Sequence, residues 1–259
     1  MDYPYKLSII TVNLNNKEGL QKTIESVINQ THQDFEWIII DGGSTDGSKE
    51  LIEKYSEHIN YWVSEPDKGI YNAMNKGILR SRGEYLLFLN SGDYLCSENT
   101  LLNVIKHLNK ESIYLGNYKI GDNEIGYEFI NNEYLLFTLL NKGFMHQSSF
   151  FKRNLFDKYG LYREDLKVSS DWLFNIKAII FYNEKVIHLP IPISVFSMGG
   201  LSSQNRLRGE DLIKLRKENY NLFLIFKFYA KYRILIYKII NNTFLKKIGF
   251  IIGKSIKII

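Results

Sequence analysis

YLLFLNSGDYL, Tyr85 to Leu95, decides the fold. Tyr85, Leu86, Leu87, Phe88 and Leu89 run apolar or aromatic without a break, and Asn90, Ser91, Gly92 and Asp93 follow at once. An unbroken apolar run of this length predicts a strand covered on both faces, the kind found in parallel sheets flanked by helices. In such sheets ligands bind beyond the carboxyl ends of the strands. A small, polar, acidic turn at that point marks a site of chemistry.

The pattern repeats on either side. Lys6–Val12 (KLSIITV) reads as a buried strand, and Leu20, Ile24, Val27 and Ile28 then recur at helical spacing. Phe35–Ile40 (FEWIII) is a second strand ending in Asp41-Gly42-Gly43-Ser44. Ser48 is placed to cap a helix carrying Leu51, Ile52 and Tyr55. Tyr61–Val63 is a short third strand, and Ile70, Ala73, Met74, Gly77 and Ile78 share a helical face. A helix over Leu101–Leu108 follows the fourth strand. Strand and helix in alternation predict an α/β fold with a mainly parallel sheet. Asn13, Asp41, Glu65 with Asp67, and Asp93 each follow a strand. Turn chemistry accounts for any one of them, but less well for all at one sheet edge. From about 113 to 150, short aromatic runs broken by Gly and Asn read as antiparallel strands. Trp172–Ile180 reads as a helix, and the chain beyond Arg206 as helical to its end.

The 259 residues are 45% hydrophobic and 24% charged, a globular balance for one large domain or a domain with an appendage. The single cysteine, Cys96, excludes an internal disulfide and fits a reducing compartment. No secretory signal is visible, and no uncharged stretch approaches the ~20 residues of a membrane span. The net charge of +5 is uneven. Lys227, Lys231, Arg233, Lys238, Lys246, Lys247, Lys254 and Lys257 face no acid after residue 220, leaving 25 basic against 28 acidic residues in the body. The excess charge therefore gives no reason to expect nucleic acid on the body. On a helix Lys227, Lys231 and Lys238 fall on nearly one side, which suits an anionic membrane surface. Packing on the body or on another subunit suits it equally.

The runs LSIITVNLNN (7–16), WIIIDGGSTDGS (37–48), SEPDKGIYNAMNKGI (64–78) and GEYLLFLNSGD (83–93) together resemble the family 2 glycosyltransferases. HQSSFF (146–151), SSDW (169–172) and FSMGGLSS (196–203) continue the resemblance more loosely, so that it covers about the first 205 residues. It implies an inverting, nucleotide-sugar-dependent enzyme with a GT-A-type, Rossmann-like mixed sheet. It also implies a nucleotide-sugar half over about 1–112 and an acceptor half over about 113–205, while the helical basic tail over 206–259 lies beyond it and is read from composition alone.

The resemblance distributes roles. The family's Asp-any-Asp metal motif corresponds to Asn90-Ser91-Gly92-Asp93, so Asp93 alone is kept as carboxylate ligand for Mn²⁺ or Mg²⁺ at the diphosphate. Asp41 matches a nucleoside-binding position, with Thr11 and Asn13 nearby. Gly42 and Gly43 permit close backbone approach. Asp67, Lys68 and Asn72 belong to a segment contacting base, ribose or diphosphate, and a helix starting near Gly69 aims N–H groups at phosphate. Lys68 is alternatively a solvated surface lysine. An inverting transfer needs one base for the acceptor hydroxyl. Asp171 matches that position, with Glu164 and Asp165 as rivals and helix capping as its plain alternative. His146 with Gln147 falls near donor or acceptor, or is structural. Gly199-Gly200-Leu201-Ser202 resembles a flexible segment near the diphosphate, and Trp172 either stacks on sugar or lies in the core. The function implied is transfer of a sugar, from a UDP-sugar, to a saccharide, likewise lipid-linked. The setting implied is bacterial surface-polysaccharide or lipopolysaccharide assembly at the inner face of the cytoplasmic membrane, with a homo-oligomer left open. Transfer directly to polyprenyl phosphate, or non-catalytic sugar-nucleotide binding, are the rival readings.

Overall fold

The computed structural model describes residues 3–121, 139, 143–197 and 205–218. Tyr5–Asn13 (β1), Glu36–Asp41 (β2), Tyr61–Ser64 (β3) and Gly83–Phe88 (β4) pair in parallel, with β1 between β2 and β4. The sheet continues through Ser149–Lys152 (β7), antiparallel to β4, then Ile113–Ile120 (β6), Val186–Phe196 (β8) and the short Tyr94–Leu95 (β5). The order is β3-β2-β1-β4-β7-β6-β8-β5, eight strands in one mixed sheet.

The unbroken apolar strands follow from coverage of both faces. Alternate residues of β1, β2 and β4 point to opposite cores. Leu7, Ile9, Trp37, Ile39, Tyr85 and Leu87 pack with Lys17–Ile28 (α1), Ser48–Lys54 (α2) and Thr100–Ile105 (α4). Ile10, Ile38, Ile40, Leu86 and Phe88 pack with Ile70–Arg80 (α3), Asn154–Tyr159 (α5) and Ser170–Ile176 (α6). On this second face Phe156 stacks on Phe174 with centroids 4.5 Å apart.

Local chemistry sets the helix starts. Asn16 caps α1 by accepting from the Gly19 amide at 3.2 Å. Ser48, expected as the cap of α2, is instead its first residue, with its hydroxyl buried. Asp46 takes the capping role, accepting from the Ser48 amide at 3.0 Å and the Lys17 amide at 2.8 Å. A carboxylate two residues earlier does this better because it reaches the starts of two helices at once. The helix expected over Leu101–Leu108 ends as α4 at Ile105. That expected over Trp172–Ile180 begins earlier, at Ser170, and gives way to a wider turn over Lys177–Phe181.

Of the strands expected between 113 and 150, β6 and β7 are antiparallel neighbours, as read. Residues 122–138 and 140–142 lie outside the described residues, as do Gly199-Gly200-Leu201-Ser202 and the tail from 219. Asn205–Glu218 (α7) is helical, as expected there. Asp211, on α7, is buried and accepts from the Lys167 and Val168 amides, both at 2.8 Å. Among the described residues no helix is long and apolar enough to cross a membrane.

Candidate active site

Asn13, Asp41 and Ser64 stand opposite one another at the ends of β1, β2 and β3. Asp41, in the middle, is 0% exposed. Its Oδ1 accepts from Asn13 Nδ2 at 2.7 Å and Ser44 Oγ at 2.5 Å. Its Oδ2 accepts from Ser64 Oγ at 2.6 Å and the Ser44 amide at 2.9 Å. Burial pushes this carboxyl up, but the bonds from Ser44, Ser64 and Asn13 more than offset it and hold it below its ordinary range. Asp41 is thus the organiser of the loop after β2. Asn13 Oδ1, buried without a hydrogen-bond partner, is the polar atom this row leaves unsatisfied. Thr11 lies one step deeper and differs from expectation: it is fully buried, and its hydroxyl accepts from Trp37 Nε1 at 3.1 Å inside the core.

Asp41→Asn is expected to lower stability by about 2–4 kcal/mol at pH 7, because an amide cannot accept from all four donors. The folded-state pKa is depressed, so the carboxylate's contribution is present above the unfolded value of ~3.9 and fades as pH falls through the lower folded value. Urea unfolding at pH 7 and pH 3.5 should therefore show the gap between the two proteins narrowing in acid. A gap independent of pH would disprove the account.

Two glycines let the neighbouring loops meet. A Cβ on Gly42 would fall 2.5 Å from Asp67 Oδ2. Gly43 has φ +82°, and its Cβ would lie 3.1 Å from the Pro66 nitrogen. Asp67 Oδ1 accepts from the Gly69 amide at 2.7 Å, and Asn72 Oδ1 from the Lys68 amide at 3.2 Å. Both shape the turn that opens α3, while the Lys68 side chain is exposed to solvent.

The turn after β4 is braced from both sides. Thr23 Oγ1 on α1 accepts from the Gly92 amide and donates to the Asp93 carbonyl, at 3.0 and 2.7 Å. Asn16 Nδ2 donates to the Ser91 carbonyl at 3.1 Å. Beyond β8, the Ser197 amide donates to Asp93 Oδ1 at 3.0 Å. Asp93 is 6% exposed, and burial pushes its carboxyl up to about 6 against the Ser197 bond and the nearby His146. Asn90 Oδ1 is buried with no hydrogen-bond partner. One carboxylate and one orphaned amide oxygen on a single tight turn are hard oxygen donors. They fit Mg²⁺ or Mn²⁺, which commonly use one or two protein ligands and complete their shell with phosphate and water. Among the described residues no group of three or more His, Cys, Asp or Glu side chains could hold a metal ion by itself.

Asp171 opens α6 and faces this turn through His146. Tyr71 Oη donates to Asp171 Oδ1 at 2.7 Å, His146 Nδ1 lies 3.4 Å from Oδ2, and His146 Nε2 lies 3.0 Å from Asn90 Nδ2. The Asp171 side chain is 17% exposed. Burial pushes its carboxyl up, but His146 and Tyr71 pull it below the ordinary range. His146 is moved the other way: burial lowers its pKa, yet Asp171 and Asp93 raise it overall. The rivals are otherwise engaged. Glu164 accepts from Asn72 and Asn75, at 2.9 and 3.0 Å, and Asp165 pairs with Arg163 and Lys214, at 2.5 and 2.7 Å. Trp172 belongs to the core, its Nε1 donating to the Leu139 carbonyl at 2.9 Å. Tyr71 was not singled out by sequence. Its signal was its place in the first turn of α3, on the face that looks toward α6.

Comparison with known proteins identifies the family. The profile "Glycosyl transferase family 2" matches residues 8–203. A PGL/p-HBAD biosynthesis glycosyltransferase of Mycobacterium tuberculosis is 29% identical over 210 residues, 76% of this chain and 78% of its own length. A cholesterol galactosyltransferase of Borreliella burgdorferi is 35% identical over 105 residues, 40% of this chain and 29% of its own. Among solved structures, S. aureus TarS 1-349 in complex with UDP-GlcNAc superimposes with a TM-score of 0.63 at 19% identity, a likeness of fold. That match covers 77% of this chain and 61% of the other, so the chain spans about three fifths of that structure. With the profile spanning most of the sequence, the chain belongs to glycosyl transferase family 2, the nucleotide-sugar-dependent glycosyltransferases.

Proposed function

We propose that the enzyme transfers a sugar with inversion from a UDP-sugar to a hydroxyl of a saccharide, lipid-linked in the cell. The observation that carries this is the joining of Asp171 to the Asn90–Asp93 turn through one histidine. Donor and base are thereby set at the same carboxyl edge of the sheet. The loops after β1, β2 and β3 would receive the nucleoside, with Asn13 Oδ1 and Asp67 as its polar contacts. The start of α3 would face the diphosphate. Asp93 and Asn90 Oδ1 would hold a divalent cation, which neutralises charge on the departing diphosphate.

The chain's own groups then act on the acceptor. Asp171, deprotonated at neutral pH, takes the proton of the acceptor hydroxyl as its oxygen bonds to the anomeric carbon. The bond from that carbon to the phosphate oxygen breaks on the opposite side, and UDP leaves with the electron pair. Tyr71 and His146 hold the two Asp171 oxygens during the transfer. The uridine reading draws on the UDP-GlcNAc bound by the TarS structure, and the lipid part of the acceptor alone on the relative named for cholesterol. The basic, apolar segment after residue 220 would keep the enzyme at an anionic membrane surface.

A donor screen with Mn²⁺ tests the proposal. UDP or GDP release is followed from several nucleotide sugars, with and without a detergent-solubilised lipid-linked sugar. UDP release from one donor, raised by the acceptor, is expected. Release from GDP-sugars alone would replace uridine, and release untouched by any saccharide acceptor would overturn the acceptor class.

A further inference from the structure

We infer that Asp211 on α7 is a positioning residue for Asp171: its carboxylate, bonded to two successive backbone amides, fixes the loop from which α6 starts. This inference rests on the reading of Asp171 as base.

α7 spans Asn205–Glu218 and so lies beyond residues 8–203, which the family profile matches. It is nevertheless built into the side of the body that carries Asp171. Asp211 is 2% exposed. Its Oδ1 accepts from the Lys167 amide and its Oδ2 from the Val168 amide, both at 2.8 Å. Successive N–H groups turned the same way make a concavity for an anion, and here the anion is a side chain of α7. Asp211, Lys214 and Glu218 share one face of that helix. Lys214 pairs with Asp165 at 2.7 Å and Glu218 with Arg163 at 2.6 Å, so all three grip residues 163–168.

The other side of that stretch is tied to α3. Glu164 accepts from Asn72 and Asn75. Asn75 also exchanges two bonds with the Tyr162 backbone, at 2.9 and 3.0 Å. The loop thus runs between α3 and α7, and α6 follows directly. Asp171 is the second residue of α6, so its carboxyl goes where the first turn of that helix is put. A helix start is ordinarily set by a capping side chain. Ser169 stands at the cap position but makes no capping bond, and its buried hydroxyl has no hydrogen-bond partner. The start of α6 is held from outside instead. Ser170 Oγ accepts from the Arg163 amide at 2.5 Å, and Asp211 holds the two amides just before Ser169. A neutral side-chain amide in place of this carboxylate would accept from one of them and turn its own N–H₂ toward the other.

Asp211→Asn in the full chain tests this. With the donor identified by the screen, kcat is expected to fall by about 10–10²-fold, the scale of a misplaced catalytic group. Donor KM and UDP affinity in Mn²⁺ should stay within about threefold, because Asp211 acts through the base. Added to Asp171→Asn, the same substitution should lower turnover by less than about twofold more, since nothing is left for it to position. Val104→Ala, in the core on the opposite face of the sheet, is the comparison for stability alone. Assayed well below its thermal midpoint, it should keep native kcat. Losses that multiply in the double variant, native kcat in Asp211→Asn, or an equal fall in Val104→Ala overturn the inference. Should Asp211→Asn not fold, Lys214→Met takes its place, because that side chain is 41% exposed. A kcat about threefold lower at unchanged donor KM is then expected, the scale of a surface ion pair, and native kcat overturns the inference. Turnover kept by Asp171→Asn sinks the base reading itself, whereas a nearly inactive Asp171→Asn beside a native Asp211→Asn removes the role of Asp211 alone.

Discussion

Asp171→Asn should cut turnover at saturating donor by about 10³-fold, within the range for loss of general base catalysis, while UDP binding stays intact. The amide keeps the size and planarity of the carboxylate. Its oxygen still accepts from Tyr71, whose hydroxyl is 2.7 Å from Oδ1 in the native protein. What the variant lacks is a basic lone pair for the acceptor proton. The change therefore falls on kcat with acceptor present, and donor affinity measured by calorimetry should not follow it. The thermal midpoint should shift little, because the helix start at Ser170 retains a polar side chain. Retained turnover would remove Asp171 as base. Weight would then pass to Glu164, whose oxygens accept from Asn72 and Asn75 and would first have to be released.

Loss of the carboxylate at Asp93 should have an effect of similar size on a different quantity. Asp93→Asn is expected to weaken UDP binding in the presence of Mn²⁺ by about 10²–10³-fold, the several kcal/mol that a cation contributes to neutralising developing charge. The amide oxygen still accepts from the Ser197 amide, so the turn should stay closed. The native carboxyl, pushed up to about 6 by burial, is costly to ionise alone and gains most from a neighbouring cation. In the variant, UDP affinity should become nearly independent of Mn²⁺ concentration. Undiminished Mn²⁺ dependence would place the ion elsewhere. Asp93→Ala, which also drops the Ser197 anchor, should cost stability as well as binding, and comparison of the two variants separates charge from bracing.

How much of this was legible in the sequence differs by element. The first four strands announced themselves because a sheet buried on both faces favours apolar residues at nearly every position, and a run as short as Tyr85–Leu89, bounded by turn residues, suits a strand better than a helix. The polar strand ends were legible for the same reason, since nothing else breaks such runs. Strand β8 was not read, because Pro190 and Pro192 argue against a strand interior. The structure accepts them where the register against β6 slips from Leu115 opposite His188 to Asn117 opposite Pro192. Thr11 shows the limit of reading position alone. It shares a pleat face with Asn13, yet Trp37 covers it, and only the three-dimensional depth of the strand distinguishes the two. Tyr71 was hidden differently, for it is an apolar core residue by burial and a hydrogen-bond donor by one atom. Both Asp171 and His146 were singled out by motif, but the contact of His146 with both Asp171 and the Asn90–Asp93 turn emerges only from the fold.

The bond between Asp93 and the Ser197 amide closes a loop 104 positions long. Strand β5, next to the same turn, pairs with Tyr94 opposite Val195. The first four strands can complete their pairing, Tyr5 opposite Gly83, once Phe88 is present, whereas the Asp93 bond waits for residue 197. On a ribosome the loops after β1, β2 and β3 would therefore be shaped while half the sheet is still missing, with the Asn90–Asp93 turn lacking its Ser197 bond until residue 197 has emerged. Closure of the Asn90–Asp93 turn thus waits for a partner 104 positions downstream, and a chain stalled before β8 holds the loops after β1, β2 and β3 without that anchor.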